Sequence, residues 1–188
     1  TKKSPISDDA KGTLAGYTGV YDGNPHNAIT GAAQTGYTVE YSTTNATSGF
    51  SGTMPKVTSV ADSKTVWVKL SKADHEAKVF EMTATVTAKS ISGAVITYGT
   101  QNTYNGTEQQ PKINASVKTG LENVSPDATF TYSKDGVNYQ SEIPGFTDAG
   151  TYQVYVKASM ANFNDAVKTV NVTVQKVSSS SGSHSGGG

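Results

Sequence analysis

The stretch from Asp148 to Lys157, DAGTYQVYVK, decides the fold class of this chain. Apolar and polar residues alternate along it, which is typical of a β-strand with one buried face. The alternation places four residues on the inner face: Tyr152, Val154, Val156 and Ala158. It places three on the outer face: Gln153, Tyr155 and Lys157. The sequence therefore predicts a core strand at this point.

The position of Tyr152 indicates which kind of β fold this is. In immunoglobulin-like domains, a tyrosine near the start of the sixth strand donates its hydroxyl to upstream backbone and closes a corner between the sheets. Those domains place an inward-facing cysteine two residues later, where this chain has Val154. We therefore predict an antiparallel β-sandwich in which Asp148, Gly150, Tyr152 and Val154 are structural residues of that corner.

The rest of the chain has the composition of an all-β protein. Gly (19) and Tyr (10) are abundant, β-branched residues suit pleated surfaces, and Gly, Asn and Asp suit turns. Further alternating runs in the second half span residues 95–98, 112–118, 128–133 and 167–175. Asp135-Gly136 lies between two strand-like runs, 130–132 and 137–139, and predicts a hairpin. About seven short strands per module favour a sandwich over a barrel.

Internal repetition divides the chain into two modules with a period of roughly 87 residues. Tyr21-Asp-Gly23 matches Tyr104-Asn-Gly106, and Val66 to Lys69 matches Val154 to Lys157. Gly23 and Gly106 are therefore predicted to be structural turn residues. We predict modules at 1–88 and 89–176, followed by a flexible Gly/Ser-rich tail at 177–188. The first module is the more divergent one, with Lys64 where Gly150 would be and no corner tyrosine.

Charge and cysteine content exclude several classes of function. Fifteen basic residues, all lysine, balance fifteen acidic ones, so neither a basic stripe nor an arginine fork is present to hold nucleic acid. The chain has no cysteine, which argues against a disulfide-stapled animal domain and fits either the cytosol or the surface of a bacterium that uses few disulfides. No apolar run predicts membrane insertion. The missing initial Met and the Gly/Ser end suggest a piece of a longer protein.

We predict no catalytic site, no metal site and no cofactor. The three histidines are expected in a turn (His26), in the polar loop Asp74-His75-Glu76, and in the tail (His184). None lies beside a strained serine with an orienting carboxylate. Zinc-type Cys/His clusters are missing, and the acidic segments lack the spacing of a calcium loop. The chain is accordingly predicted not to be an enzyme.

Two outward aromatic residues are the candidates for ligand binding. Trp67 and Tyr155 occupy equivalent positions of the matched strands. An exposed aromatic residue on a sheet could stack on a sugar or anchor a protein contact. The alternative is that each covers a cross-strand neighbour or seals the junction between modules.

The order of motifs in the second module resembles a known family. Tyr104-Asn-Gly106, Tyr132 to Gly136, Thr147 to Lys157 and Asn162 to Asp165 are similar to the YDG-type (MBG-like) repeats of bacterial surface proteins. The likeness covers most of residues 89–176 and is looser in the first module. It implies a non-enzymatic repeat of a large, adhesin-like cell-envelope protein, and it names no ligand.

The resulting prediction is a stalk or spacer at the bacterial cell surface or cell wall, of a Gram-positive type, that holds a terminal functional domain away from the wall. Its expected partners are neighbouring repeats of the same chain, with a host glycan or protein as a candidate ligand, and the chain is expected to be a monomer. Two alternatives stay open. The repeats could themselves be a glycan- or protein-binding module, or they could be an accessory region of a secreted enzyme.

Overall fold

The computed structural model describes residues 2–178, which form two compact units divided between Lys89 and Ser90. Each unit is an immunoglobulin-like β-sandwich, so the all-β prediction is confirmed. The two units are called here the first and the second module. Most of the predicted tail, and with it His184, lies outside the described residues. Within residues 2–178, no helix has the length and apolarity needed to span a membrane.

The first module contains eight strands: β1 (Ala15–Gly16), β2 (Thr18–Val20), β3 (His26–Asn27), β4 (Ile29–Thr30), β5 (Thr38–Ser42), β6 (Lys56–Val57), β7 (Lys64–Ser71) and β8 (Lys78–Thr87). Two 3₁₀ turns, Asp8–Lys11 and Val60–Asp62, interrupt the connections. A short strand, β9 (Lys89–Ser90), lies where the two units divide.

The main sheet of the first module has the strand order β2-β8-β7-β5. Its β2–β8 pairing is parallel, and the other two pairings are antiparallel. The pairs β1–β4 and β3–β6 supply the remaining hydrogen-bonded strands. The core consists of alternate residues of β7 and β8 with residues of β4 and β6, among them Ile29, Val57, Val66, Val68, Leu70 and Ala84.

The second module contains β10 (Ser92–Tyr98), β11 (Asn102–Thr103), β12 (Ile113–Lys118), β13 (Thr129–Ser133), β14 (Gly150–Ser159), β15 (Phe163–Asn164) and β16 (Ala166–Gln175). Its main sheet has the order β11-β16-β14-β13, again with one parallel pairing, β11–β16. The pair β10–β12 is antiparallel. The core is formed by Ile113, Phe146, Val154, Val156, Val172 and Val174.

The inside–outside pattern of β14 follows the sequence at all but one position. Val154, Val156 and Ala158 are buried, with 0%, 1% and 4% of their surface exposed. Tyr152 is only half-buried, at the edge of the core and not inside it. Its hydroxyl has to reach surface backbone, and a tyrosine commonly keeps its polar end near water in this way.

The predicted hairpin at Asp135-Gly136 is wrong in its second strand. Residues 137–139 form no strand, and only Gln140 makes an isolated antiparallel bridge, with Tyr132. The physical reason is the Asp135 side chain, whose Oδ1 accepts hydrogen bonds from the amides of Val137 and Asn138 at 2.8 Å. An Asx turn of this kind competes with strand pairing for the backbone donors.

Candidate functional site

Trp67 and Tyr155 lie at equivalent positions of the two main sheets. Trp67 is opposite Ser42 of β5, and Tyr155 is opposite Ser133 of β13. Both aromatic residues are half-buried on the outer side of their strands. They share a register, and the ligand-binding role assigned to them from sequence remains a prediction.

The ring of Tyr155 covers a turn. A Cβ atom added at Gly136 would lie 3.1 Å from the ring, so the phenol packs directly on that glycine. The φ angle of Gly136 is +76°, a conformation that favours glycine. One face of Tyr155 is therefore covered by the loop that follows β13, which supports the structural alternative for this residue.

The corner tyrosine forms the hydrogen bond expected from its position. The Tyr152 hydroxyl donates to the backbone carbonyl of Asp148 at 2.7 Å. Its ring stacks on Phe146, with centroids 4.3 Å apart and planes inclined by 19°. Gly150 begins β14 opposite Val174 and precedes the fully buried Val154 in the same strand. The tyrosine thus ties the start of β14 to the preceding loop.

In the first module the same corner is closed differently. Lys64 is opposite Ala84 as Tyr152 is opposite Val172. Lys64 therefore stands at the register position of the corner tyrosine, and its sequence alignment with Gly150 is wrong. When the two strands are compared by their pairing, β14 has two more residues at its start than β7. A short alignment with a gap could not show where those two residues belong.

Side-chain hydrogen bonds replace the phenol at the first corner. The Ser63 hydroxyl accepts from the amide of Val86 at 2.9 Å. The Asp62 carboxylate accepts from the amides of Ser59 and Thr58, both at 2.9 Å. These two amides hold the pKa of Asp62 below its ordinary value. The corner is closed by a hydroxyl and a capping carboxylate without an aromatic ring.

The Tyr-x-Gly motif forms the same turn twice. Gly23 and Gly106 both have a φ angle of +78°, where a side chain would be strained. In each turn the middle residue, Asp22 or Asn105, accepts a hydrogen bond at 2.9 Å from the amide two residues later. The motif forms an Asx turn in each module.

The tyrosine of each motif is attached to the last strand of its module. The Tyr21 amide donates to the Thr87 carbonyl, and the Tyr104 amide donates to the Gln175 carbonyl, both at 2.8 Å. These bonds extend the parallel pairings β2–β8 and β11–β16 by one residue. The motif therefore marks where the first strand of the main sheet ends against the last one.

The loops after β5 and β13 repeat a second arrangement. Ser42 and Ser133 are almost fully buried, and the hydroxyl of each accepts amide hydrogen bonds from the following turn. An Asx side chain then holds the next amides, Asn45 in the first module and Asp135 in the second. The amides of Asn138 and Val137, with the Ser133 hydroxyl, hold the pKa of Asp135 far below its ordinary value.

A lysine on the neighbouring strand contacts an aromatic ring of each of these loops. The ammonium group of Lys69 lies 4.6 Å from the ring centroid of Phe50, and that of Lys157 lies 3.9 Å from the centroid of Tyr139. Lys69 is also 3.5 Å from a Glu40 carboxylate oxygen. This repeated contact was not predicted from the sequence. Both lysines stand in the matched strands, and each ring lies in the loop that follows a Tyr-Ser pair, Tyr41-Ser42 or Tyr132-Ser133.

The histidines have local structural contacts. His26 lies in strand β3 and not in a turn as predicted, because it pairs with Val57 of β6. Its Nε2 is 2.8 and 2.9 Å from the two carboxylate oxygens of Asp22, and its ring stacks on Tyr17 at 4.5 Å. The hydrogen bond from His26 is the main reason that the pKa of Asp22 is lowered.

His75 lies in the connection before β8, with Nδ1 2.8 Å from the Ala73 carbonyl oxygen. In the part of the chain that the structure describes, no three His, Asp or Glu side chains are grouped so that they could hold a metal ion.

Comparison with known proteins leaves the family open. A scan against protein-family models found no match, and a search of curated proteins found none either. Among solved structures, murine CEACAM1b is similar with a TM-score of 0.37 and 10% identity, covering 88% of this chain and 99% of that one. The insect immune protein hemolin has a TM-score of 0.36 and 11% identity, covering 94% of this chain and 48% of that one.

The N-terminal four-domain fragment of Dscam1 has a TM-score of 0.36 and 15% identity, covering 85% of this chain and 42% of that one. Similarity this low carries no argument about activity or partners. The assignment of the fold rests on the strand pairing itself.

Proposed function

We propose that the chain is a non-catalytic extracellular repeat segment that acts as a stalk or spacer in an adhesin-like protein of the bacterial cell surface. The resemblance of the second module to YDG-type repeats supports this location and role. The partners of the segment are then the neighbouring repeats of its own chain. A stalk has to withstand tension along the chain, and the strand pairing of both modules suits that task.

The observation that carries the proposal is the parallel pairing between the first and the last strand of each main sheet. In the first module Thr18 is opposite Thr85 and Val20 is opposite Thr87. In the second, Asn102 is opposite Val174 and Thr103 is opposite Gln175. The chain enters each sheet through one of these strands and leaves it through the other.

This arrangement determines how tension acts on the hydrogen bonds. Two parallel strands that are the first and the last strand of a main sheet are pulled lengthwise in opposite directions when tension reaches that sheet. The hydrogen bonds between them are then loaded together, whereas the bonds of a hairpin pulled at its open end break one after another. Resistance to forced unfolding is set by the unfolding rate. A few hydrogen bonds that are loaded together can therefore raise the unfolding force by more than their share of the equilibrium free energy of unfolding.

Side chains add to the contact at this position. The Thr87 hydroxyl donates to the Gly19 carbonyl at 3.3 Å, beside the backbone hydrogen bond from the Thr85 amide to the Tyr17 carbonyl at 2.7 Å. In the second module the side-chain amide of Gln175, the last residue of β16, donates to the side-chain carbonyl of Gln101, the residue before β11. Both modules thus strengthen the parallel contact beyond its backbone pairing.

The test is single-molecule force spectroscopy on the chain tethered at its two ends. Tyr21→Pro and Tyr104→Pro each remove one amide donor to the last strand. We expect each to lower the force of one of the two unfolding events. The matched control is Val57→Ala, which truncates a fully buried core residue of β6 and leaves the parallel strands intact.

We expect Val57→Ala to lower the free energy of unfolding while changing the unfolding force much less than Tyr21→Pro does. If force simply follows equilibrium stability in all three variants, the parallel strands are not what bears the tension. The spacer proposal would then lose the observation on which it depends.

A further inference from the structure

The second module has a polar groove that its role as a spacer does not use. The groove has a volume of about 390 Å³, within the range of roughly 300–1,000 Å³ found for small-molecule sites. It lies between the loop after β13 and the segment before Phe146. Its lining includes Glu108, Tyr132, Lys134, Asn138, Gln140 and Gly145.

A glycine forms one wall of the groove. A Cβ atom added at Gly145 would lie 2.4 Å from a Glu108 carboxylate oxygen and 2.5 Å from its Cγ. Any larger residue would therefore displace the Glu108 side chain from this position. Gly145 does not have a positive φ angle, so the requirement here is one of space and not of backbone conformation.

The fold itself does not need that glycine. Phe146 bridges to Gln109 as Val57 pairs with His26, and each bridge follows a Tyr-x-Gly turn. The residue before the bridge is Gly145 in the second module and Lys56 in the first. The Lys56 ammonium group instead contacts the Asn27 side chain. The space beside Glu108 is thus a feature of the second module alone.

The polar groups in the groove are of two kinds. Both carboxylate oxygens of Asp135 are occupied within its own loop, by Ser133, Val137 and Asn138. The Glu108 carboxylate and the Gln140 side-chain amide have no hydrogen bond or ion pair with any residue that the structure describes. The Lys134 ammonium group lies 4.6 Å from the Phe146 ring centroid. Three polar groups therefore have capacity for a ligand.

We propose that this groove binds a short neutral saccharide. Sugar hydroxyls both donate and accept, so one ligand can satisfy the acceptor-only Glu108, the donor-only Lys134 and the amide of Gln140. The half-buried ring of Tyr132 in the same lining offers an apolar surface for sugar C–H groups.

Side chains of both charges line the groove. Glu108 and Asp135 are acidic and Lys134 is basic, so an ionised ligand of either sign would meet at least one like charge there. A neutral polyol meets none and can use the same side chains through hydrogen bonds.

The test is a titration of the chain, followed by amide NMR spectra, with neutral trisaccharides: maltotriose, cellotriose and chitotriose. We expect shifts at Lys134, Gln140 and Gly145 with at least one of them. Gly145→Lys introduces the residue of the first module and should abolish binding. Glu108→Gln keeps the shape of the side chain and should weaken binding about tenfold, since a charged hydrogen bond is lost.

The controls separate the groove from the rest of the surface. Glu81→Gln removes an exposed carboxylate of the first module and should leave the affinity unchanged. The deacetylated chitosan trimer and sialyllactose carry the two signs of charge, and a tripeptide of alanine represents peptides. Stronger binding of any of these than of the neutral sugars would overturn the proposal. The proposal would also be overturned if none of the three trisaccharides shifted the amide signals of the groove.

The saccharide groove and the proposed spacer role involve different parts of the second module. The groove involves the loops of residues 108 and 134–145, and the spacer role involves β2, β8, β11 and β16. A Gly145→Lys variant that still unfolds at the normal force, but binds no sugar, would separate the two.

Discussion

The two modules have the same hydrogen-bonded frame and different side chains on it. Their main sheets, β2-β8-β7-β5 and β11-β16-β14-β13, match strand for strand in order and direction. Three features recur in both modules: the Tyr-x-Gly turn, the buried serine that ends β5 or β13, and the lysine–aromatic contact. What differs is how corners are closed and which polar groups face the surface. The frame tolerates that change because it depends on backbone hydrogen bonds and on turn geometry.

The cores show the same principle through an exchange of size. In the first module Leu70 of β7 is opposite Val39 of β5. At the equivalent register of the second module, Ala158 of β14 is opposite Phe130 of β13. A large and a small residue have changed places across one strand pair. Because directly opposed residues share a face of the sheet, the two pairs fill similar space.

Breaking this size exchange should give the largest effect. Leu70→Ala leaves a cavity at a residue with 0% exposure, and we expect a loss of about 3 kcal/mol in the free energy of unfolding. Adding Val39→Phe restores the pair of the second module and should recover part of the loss. Chemical denaturation of the single and double variants measures the coupling. Strictly additive effects would show that the two positions do not exchange volume.

Removing the hydrogen bond that closes each corner should lower the free energy of unfolding by different amounts in the two modules. Ser63→Ala leaves the buried Val86 amide without its hydroxyl partner, and we expect a cost of about 2 kcal/mol. Tyr152→Phe removes only the bond to the Asp148 carbonyl, which lies at the surface and can turn to water, so about 1 kcal/mol is expected. Hydrogen exchange in β8 and β16 assigns each loss to its module. Equal losses of unfolding free energy would show that burial of the hydrogen bond does not explain a difference between the two corners.

The two Tyr-x-Gly turns should respond equally. Gly23→Ala and Gly106→Ala each place a side chain at a φ angle of +78°, and we expect a loss of about 1 kcal/mol in each module. Gly52→Ala is the control, because Gly52 has open space around it and no positive φ angle. That change should be neutral or slightly stabilising. A loss confined to one module would contradict the structural equivalence of the turns.

The repeated lysine–aromatic contact should contribute less. Lys157→Met and Lys69→Met keep the apolar part of the side chain and remove the charge above the ring. We expect about 0.5 kcal/mol for each, since both contacts are partly exposed. Thermal unfolding of the variants, with Lys168→Met as a control on β16, measures the difference. A loss at Lys168→Met as large as at Lys157→Met would assign the effect to general charge.

The sequence was informative where one period or one short motif determines the structure. The alternation through Val154 and Val156 predicted the core face of β14. The hydrogen bond of Tyr152 to upstream backbone was expected from its position two residues before Val154. The parallel strands β2 and β11 could not be predicted, since three and two residues carry no periodicity and their partners lie far along the chain. His26 was misplaced for the same reason, as its strand exists only through Val57. The groove depends on Gly145, whose importance is visible only beside Glu108.

The smallest expected effect is the response to low pH, which should differ between the loop after β5 and the loop after β13. Asp135 and Asn45 hold the same kind of turn, but only Asp135 can be protonated. Because its amide partners lower the pKa of Asp135 below the ordinary value of 3.8, the bonds stabilise the fold above that value. Their contribution is lost as the pH falls further, towards the folded pKa.

The measurement is the amide shift of Val137 in a pH titration below the ordinary value of 3.8. We expect that shift to follow the titration of Asp135, and the shift of the Thr47 amide in the first module to stay flat. Asp135→Asn should remove the response, and Asn45→Asp should create one at Thr47, whose amide it holds at 2.9 Å. A response at Thr47 without that substitution would show that acid reaches the first loop through other groups. In that case the difference between Asp135 and Asn45 would not explain the acid response of the second loop.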